Sequence, residues 1–170
     1  MIGQRLRQVR LARGLSLDEL SAEMGRIVTR QALWKYEQGK ARPSAGAVAK
    51  LAAALHVPAP ALWREPAHTV RFIAYRRESR LRKRDAQRVE ATVSLALEER
   101  LRLKERLGQY ADDSIPERRY PVASLEDAEK AAEALRDVWD LGRDPVSSVV
   151  EVLEDHAVHV IEIDAPEKFD

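Results

Sequence analysis

Apolar residues in the first 65 positions recur at helical spacing and are interrupted at short intervals by turn signals, a pattern that predicts a series of short helices. Ile2, Leu6 and Val9 open the series, Arg5, Arg7 and Arg10 fill the intervening faces, and Gly14 stops the first helix. Ser16-Leu17-Asp18-Glu19 reads as a capping box, with the Ser16 hydroxyl capping and Glu19 reaching back. The second helix buries Leu17, Leu20 and Met24 and ends at Gly25. Thr29 caps a third, which turns Ala32, Leu33 and Tyr36 inward and ends at Gly39. Ser44, after Pro43, caps a fourth that buries Val48, Leu51, Ala52 and Leu55, and Pro58 restarts a short fifth containing Leu62. Short helices joined by tight turns, with the small Ser21 where two of them cross, describe a helix-turn-helix.

The pattern then changes. Residues 69–76 alternate, with Val70, Phe72 and Ala74 on one face and Arg71, Ile73 and Tyr75 on the other, as in a strand. Residues 83–107 return to helical spacing, with Val89, Val93, Ala96, Leu97 and Leu101 on one stripe, widened by Leu95, Leu103 and Leu107. So wide a stripe covers two sides of the helix, which then belongs to a domain core or to a dimer interface. After a polar linker at residues 112–119, Ser124-Leu125-Glu126-Asp127 resembles a second capping box. It opens a helix with Leu125, Ala128, Ala132, Leu135 and Trp139 inward, ending near Gly142. Asp144-Pro145 starts another, carrying Val146, Val149, Val150 and Leu153, and residues 157–163 alternate as a strand whose one plausible partner is residues 70–75. The fold expected is mainly α: a five-helix, phage-repressor-like helix-turn-helix domain over residues 1–65, a basic strand, long helix and linker over 66–120, and an acidic helical unit with one or two short strands in all over 121–170.

Charge sharpens this division. The net charge of +1 conceals a basic first part, with 23 Lys/Arg against 11 Asp/Glu in residues 1–110, and an acidic second part, with 6 against 17 in residues 111–170. The first part should attract polyanions and the second repel them, which points to two units with different partners. The densest basic run, Arg76-Arg77-Glu78-Ser79-Arg80-Leu81-Arg82-Lys83-Arg84, is either a solvated face or a non-specific phosphate contact. With no cysteine, disulfides and thiolate metal sites are excluded. No apolar run is long enough to span a bilayer, and the N-terminus lacks a signal-peptide core, so a cytoplasmic, nucleoid-associated protein is expected.

The segment 10–20, the run Thr29-Arg30-Gln31-Ala32-Leu33-Trp34-Lys35-Tyr36-Glu37-Gln38-Gly39-Lys40 and then Arg42-Pro43-Ser44 resemble, in that order, the Xre/Cro-type helix-turn-helix family over about residues 2–63. The resemblance implies that the third helix enters the major groove of double-stranded DNA, its first residues meeting base edges. Carried onto this chain, Arg30, Gln31 and Lys35 are the base-contact candidates, because Arg and Lys suit guanine acceptors and Gln pairs with adenine. Ser16 and Thr29, at helix N-termini, suit phosphate oxygens, and Lys40 and Arg42 should lie beside the backbone. The family also implies a pair between Arg10 and Glu37. Two departures stand out. The segment Gly25-Arg26-Ile27-Val28-Thr29 is longer than the family's turn, which puts the docking angle in question and offers Arg26 as a further phosphate contact. Trp34 replaces a small polar residue, and either packs on the sugar-phosphate backbone or covers an apolar gap.

Residues 66–170 resemble the N-terminal portion of the ImmA/IrrE family of metallopeptidase-like regulators. The resemblance rests on Pro121-Val122-Ala123-Ser124-Leu125-Glu126-Asp127-Ala128-Glu129, Leu135, Trp139-Asp140-Leu141-Gly142, Asp144-Pro145, Val158-His159-Val160-Ile161-Glu162-Ile163-Asp164 and Lys168-Phe169-Asp170. That family's catalytic His-Glu-x-x-His helix has no counterpart here, since none of His56, His68, His156 and His159 is followed by Glu. No catalytic residue, metal ligand or cofactor is therefore expected in this chain, and a peptidase helix would lie beyond Asp170 in a longer parent protein. The leading expectation is an Xre-type transcriptional regulator that reads a palindromic operator as a homodimer. Two others stand beside it: the non-catalytic front of a metallopeptidase regulator, and an antitoxin whose acidic unit binds a basic protein partner.

Overall fold

The computed structural model describes residues 2–65, 70–73, 82–108 and 119–164, and among them the chain is helical. It comprises α1 (Ile2–Ala12), α2 (Leu17–Glu23), α3 (Arg30–Glu37), α4 (Ala45–Ala54), a 3-10 helix (Ala59–Trp63), α5 (Lys83–Arg106), α6 (Leu125–Val138) and α7 (Val149–Asp155). The chain forms two compact units, residues 1–103 with 161–170, and residues 104–160. No described helix is long and apolar enough to cross a membrane.

The first unit is built around leucines. Leu6 of α1, Leu20 of α2, Leu33 of α3, Leu51 of α4, Leu55 at its end and Leu62 of the 3-10 helix are fully buried, and Val9, Met24, Val28 and Val48 fill the space between them. The capping expected from sequence is present: Ser16, Thr29 and Ser44 each accept a bond from the backbone N–H three residues on, and Ser16 with Glu19 closes a full capping box. Helices α1 to α4 end the same way, in a Schellman turn that takes up orphan carbonyls. In α3 the Lys40 N–H bonds Lys35 O at 2.8 Å and Gly39 turns left-handed at φ 68°. In α4 the left-handed position is held by His56 instead, at φ 52°. The expected fifth helix is a single short 3-10 stretch, Ala61 N–H bonding Pro58 O at 2.8 Å, the form in which such short pieces are common.

The α5 helix joins this unit. Leu95 packs on the core, and Ala86, Val89 and Ala91 are buried. Polar ties reinforce the packing: Arg5, itself buried, donates to Glu98 and, from Nε, to Arg64 O at 3.1 Å, and Arg84 Nε reaches Gly14 O at 3.0 Å. The packed stripe thus covers the helix-turn-helix domain, while Leu103 and Leu107 at its far end stay exposed.

Three expectations need correction. No strand forms among the described residues. Residues 70–73 and 159–164 keep an alternation of half-buried and exposed side chains, but alternation records one covered face and does not by itself make a strand. In the second unit α6 begins at its Ser124–Asp127 capping box as expected, yet Leu125 is 79% exposed and Ala132 is exposed, so neither faces inward. Helix α7 starts at Val149 under a Ser148 cap, later than Asp144-Pro145 suggested, and Val149 and Val150 are exposed. Within this unit the rings of Trp139 and His156 stack with centroids 4.2 Å apart. His68, the basic residues 76–81, the linker at 112–118 and the end at 165–170 lie outside the described residues.

Candidate nucleic-acid interface

Helix α3 has two faces set by its sequence spacing. Leu33 and Glu37 are buried, with Ala32 and Tyr36 half-buried beside them, so Arg30, Gln31, Trp34, Lys35 and Gln38 are left on the exposed face. What holds that face outward is a buried ion pair. Arg10 of α1 donates from Nε to Glu37 Oε1 at 2.6 Å and from Nη2 to Oε2 at 2.9 Å, while its Nη1 bonds Leu15 O at 2.6 Å. The two side chains are only 9% and 4% exposed. This forked geometry forms the pair that the family resemblance implied, and it fixes the roll of α3 about its own axis.

Five of the nine candidate residues, Thr29, Arg30, Gln31, Trp34 and Lys35, share α3 and its cap, and Lys40 follows in the turn. Lys40 Nζ stands 4.4 Å from the centroid of the Trp34 ring, a cation–π contact that holds both side chains at the end of the exposed face. Arg42 is exposed just beyond. Arg26 is exposed and left-handed at φ 59°, its N–H bonded to Ser21 O at 2.8 Å, and the Ser21 hydroxyl donates to Val28 O at 2.7 Å. Those bonds make the longer connection a built turn. Ser16, half-buried, is engaged within its own cap, its N–H donating to Glu19 at 2.6 Å.

Two partners at this surface were not visible in the spacing. Asp18 places a carboxylate oxygen 3.4 Å from Arg30 Nη1, linking the first turns of α2 and α3, with both side chains largely exposed. Arg84 of α5 binds both carboxylate oxygens of Glu19, at 2.8 and 3.0 Å, so the end of the basic run braces the α2 cap. Residues so far apart in the chain carry no mutual signal in the sequence. The Ser16 backbone N–H, then its hydroxyl, then Arg84 hold the Glu19 carboxyl down to about 2 from an ordinary 4.5. A depressed folded-state pKa stabilises fully above the unfolded value and loses that contribution as pH falls through the folded one. Glu19→Gln should therefore flatten the dependence of stability on pH between about 4.5 and 2, read as thermal midpoints across that window; a slope equal to the native protein's would show that the cap is not the titrating element.

Among the described residues no cluster of His, Asp and Glu could hold a metal ion. No curated protein and no solved structure matches the chain. The helix-turn-helix family model matches residues 6–62, which run from α1 to the 3-10 helix. This match ends at residue 62, and the resemblance of residues 66–170 to metallopeptidase-like regulators rests on its motifs. Residues 6–62 are a helix-turn-helix domain of the Xre type, the module of DNA-binding transcriptional regulators.

Proposed function

We propose that the chain is a sequence-specific transcriptional regulator that lays α3 in the major groove of a palindromic operator and binds it as a homodimer. The observation that carries this reading is the exposed face of α3, where Arg30, Gln31 and Lys35 stand together on a helix locked from behind by the Arg10–Glu37 pair. Arg30 and Lys35 suit guanine acceptors, and Gln31 suits adenine. Thr29, Ser16, Arg26, Lys40 and Arg42 take the role of phosphate contacts around it. The acidic second unit, with Leu125, Val138 and Val149 exposed, serves assembly or a protein partner.

Selection of bound duplexes from a random pool, followed by titration at several salt concentrations, tests the proposal. The expected result is an inverted repeat with half-sites about one helical turn apart. Arg30→Ala and Gln31→Ala should each lose about 1–3 kcal/mol of discrimination between selected and random duplexes. Arg82→Ala should instead weaken all duplexes alike and reduce the salt slope. Enrichment of no sequence, with salt-sensitive binding to any duplex, would reduce the domain to a generic DNA tether.

A further inference from the structure

On the exposed face of the helix-turn-helix domain, Leu17 at the start of α2 and Arg30, Gln31 and Trp34 of α3 enclose a shallow pocket of about 230 Å³. Its lining is mostly apolar, and it includes the two side chains best suited to hydrogen-bond base edges. Leu17 is half-buried and packed against the core, and Trp34 is 41% exposed with Lys40 over its ring. Arg30, which lines the pocket, also pairs with Asp18 at 3.4 Å.

Base edges in the major groove offer hydrogen-bond donors and acceptors and, of the four ordinary bases, one apolar group: the C5-methyl of thymine. An apolar hollow between two base-reading side chains has that methyl as its complement. We infer that Leu17 and Trp34 form a thymine-methyl subsite, so that each operator half-site contains a thymine next to the bases read by Arg30 and Gln31. The inference rests on the reading of α3 as the groove-bound helix, and it gives Trp34 a specificity role in place of the backbone-packing or gap-filling roles open from sequence. Leu17 enters as a specificity-determining residue that the periodicity marked only as core.

The test uses the full chain and the operator it selects. Each thymine is replaced singly by deoxyuridine, which removes the methyl and leaves every hydrogen-bonding group in place. One position per half-site should lose about fourfold in affinity, the value of one buried methylene-sized group, while the others stay unchanged. In Trp34→Ala and Leu17→Ala, checked for a native circular dichroism spectrum, the loss at that position should vanish, because the methyl no longer has a wall. An operator that tolerates deoxyuridine everywhere, yet loses selection in Arg30→Ala and Gln31→Ala, would overturn the subsite and leave the groove-reading helix standing. A methyl effect undiminished in both pocket variants would overturn it equally. Failure to select any operator would remove the α3 reading and the subsite with it.

Discussion

Glu37→Ala is expected to destabilise the helix-turn-helix domain by about 3–5 kcal/mol, because it strands a buried guanidinium. Glu37 supplies both carboxylate contacts to Arg10, and with it gone Arg10 keeps only Leu15 O among its buried partners. The cost is the desolvation of an unpaired charge, several times the value of an exposed ion pair. Urea unfolding followed by circular dichroism measures it directly. The double variant Arg10→Met, Glu37→Met separates two explanations. Removing both charges together should restore most of the lost stability, since a buried pair often gives way to packed apolar side chains without penalty. If the single and double variants were equally unstable, packing volume rather than charge would be what Glu37 contributes. DNA affinity should fall in Glu37→Ala even where the protein remains folded, because the pair fixes the roll of α3.

Gly3→Ala should be the next most damaging change, at about 3 kcal/mol, the upper part of the range for overpacking. A Cβ there would lie 2.3 Å from Tyr36 O and 2.9 Å from Glu37 O, both backbone atoms of the last turn of α3. Neither can rotate away as a side-chain tip would, so the start of α1 has to lift from the end of α3. Gly46→Ala is the contrasting control. Nothing lies within 4 Å of its added Cβ, and it sits within α4, so the change should stabilise by about 0.4–1 kcal/mol by restricting the unfolded chain. Thermal midpoints of the two variants should move in opposite directions. A Gly3→Ala midpoint equal to that of the native protein would show that α1 and α3 do not approach so closely.

Local signals in this chain are legible in the sequence because they act within one turn of backbone. The Ser16, Thr29 and Ser44 caps, the Gly14, Gly25 and Gly39 stops and the leucine spacing each depend on atoms three to five residues apart, and all appear where the pattern placed them. The failures share the opposite property. Residues 70–73 and 159–164 alternate yet form no strand among the described residues, since the ladder that makes a strand belongs to two backbones. Leu125 and Val149 have the spacing of buried residues, yet are 79% and 65% exposed, because periodicity marks a face and cannot supply what covers it. The Ser148 cap shows the same limit in miniature: a nearby Asp144-Pro145 gave an equally good start signal.

The helix-turn-helix domain is legible from residue spacing alone: its helices, caps and buried leucines, and the basic and polar residues exposed on its third helix. Each of these follows from spacing, propensity and capping within a short stretch of chain. Which distant side chains meet is a property of the folded packing. It set Asp18 beside Arg30, Arg84 on Glu19, Glu98 on the buried Arg5, and Leu17 with Trp34 around one pocket. Such meetings depend on how helices stack and on where buried charge finds a partner, quantities that no interval along the chain encodes.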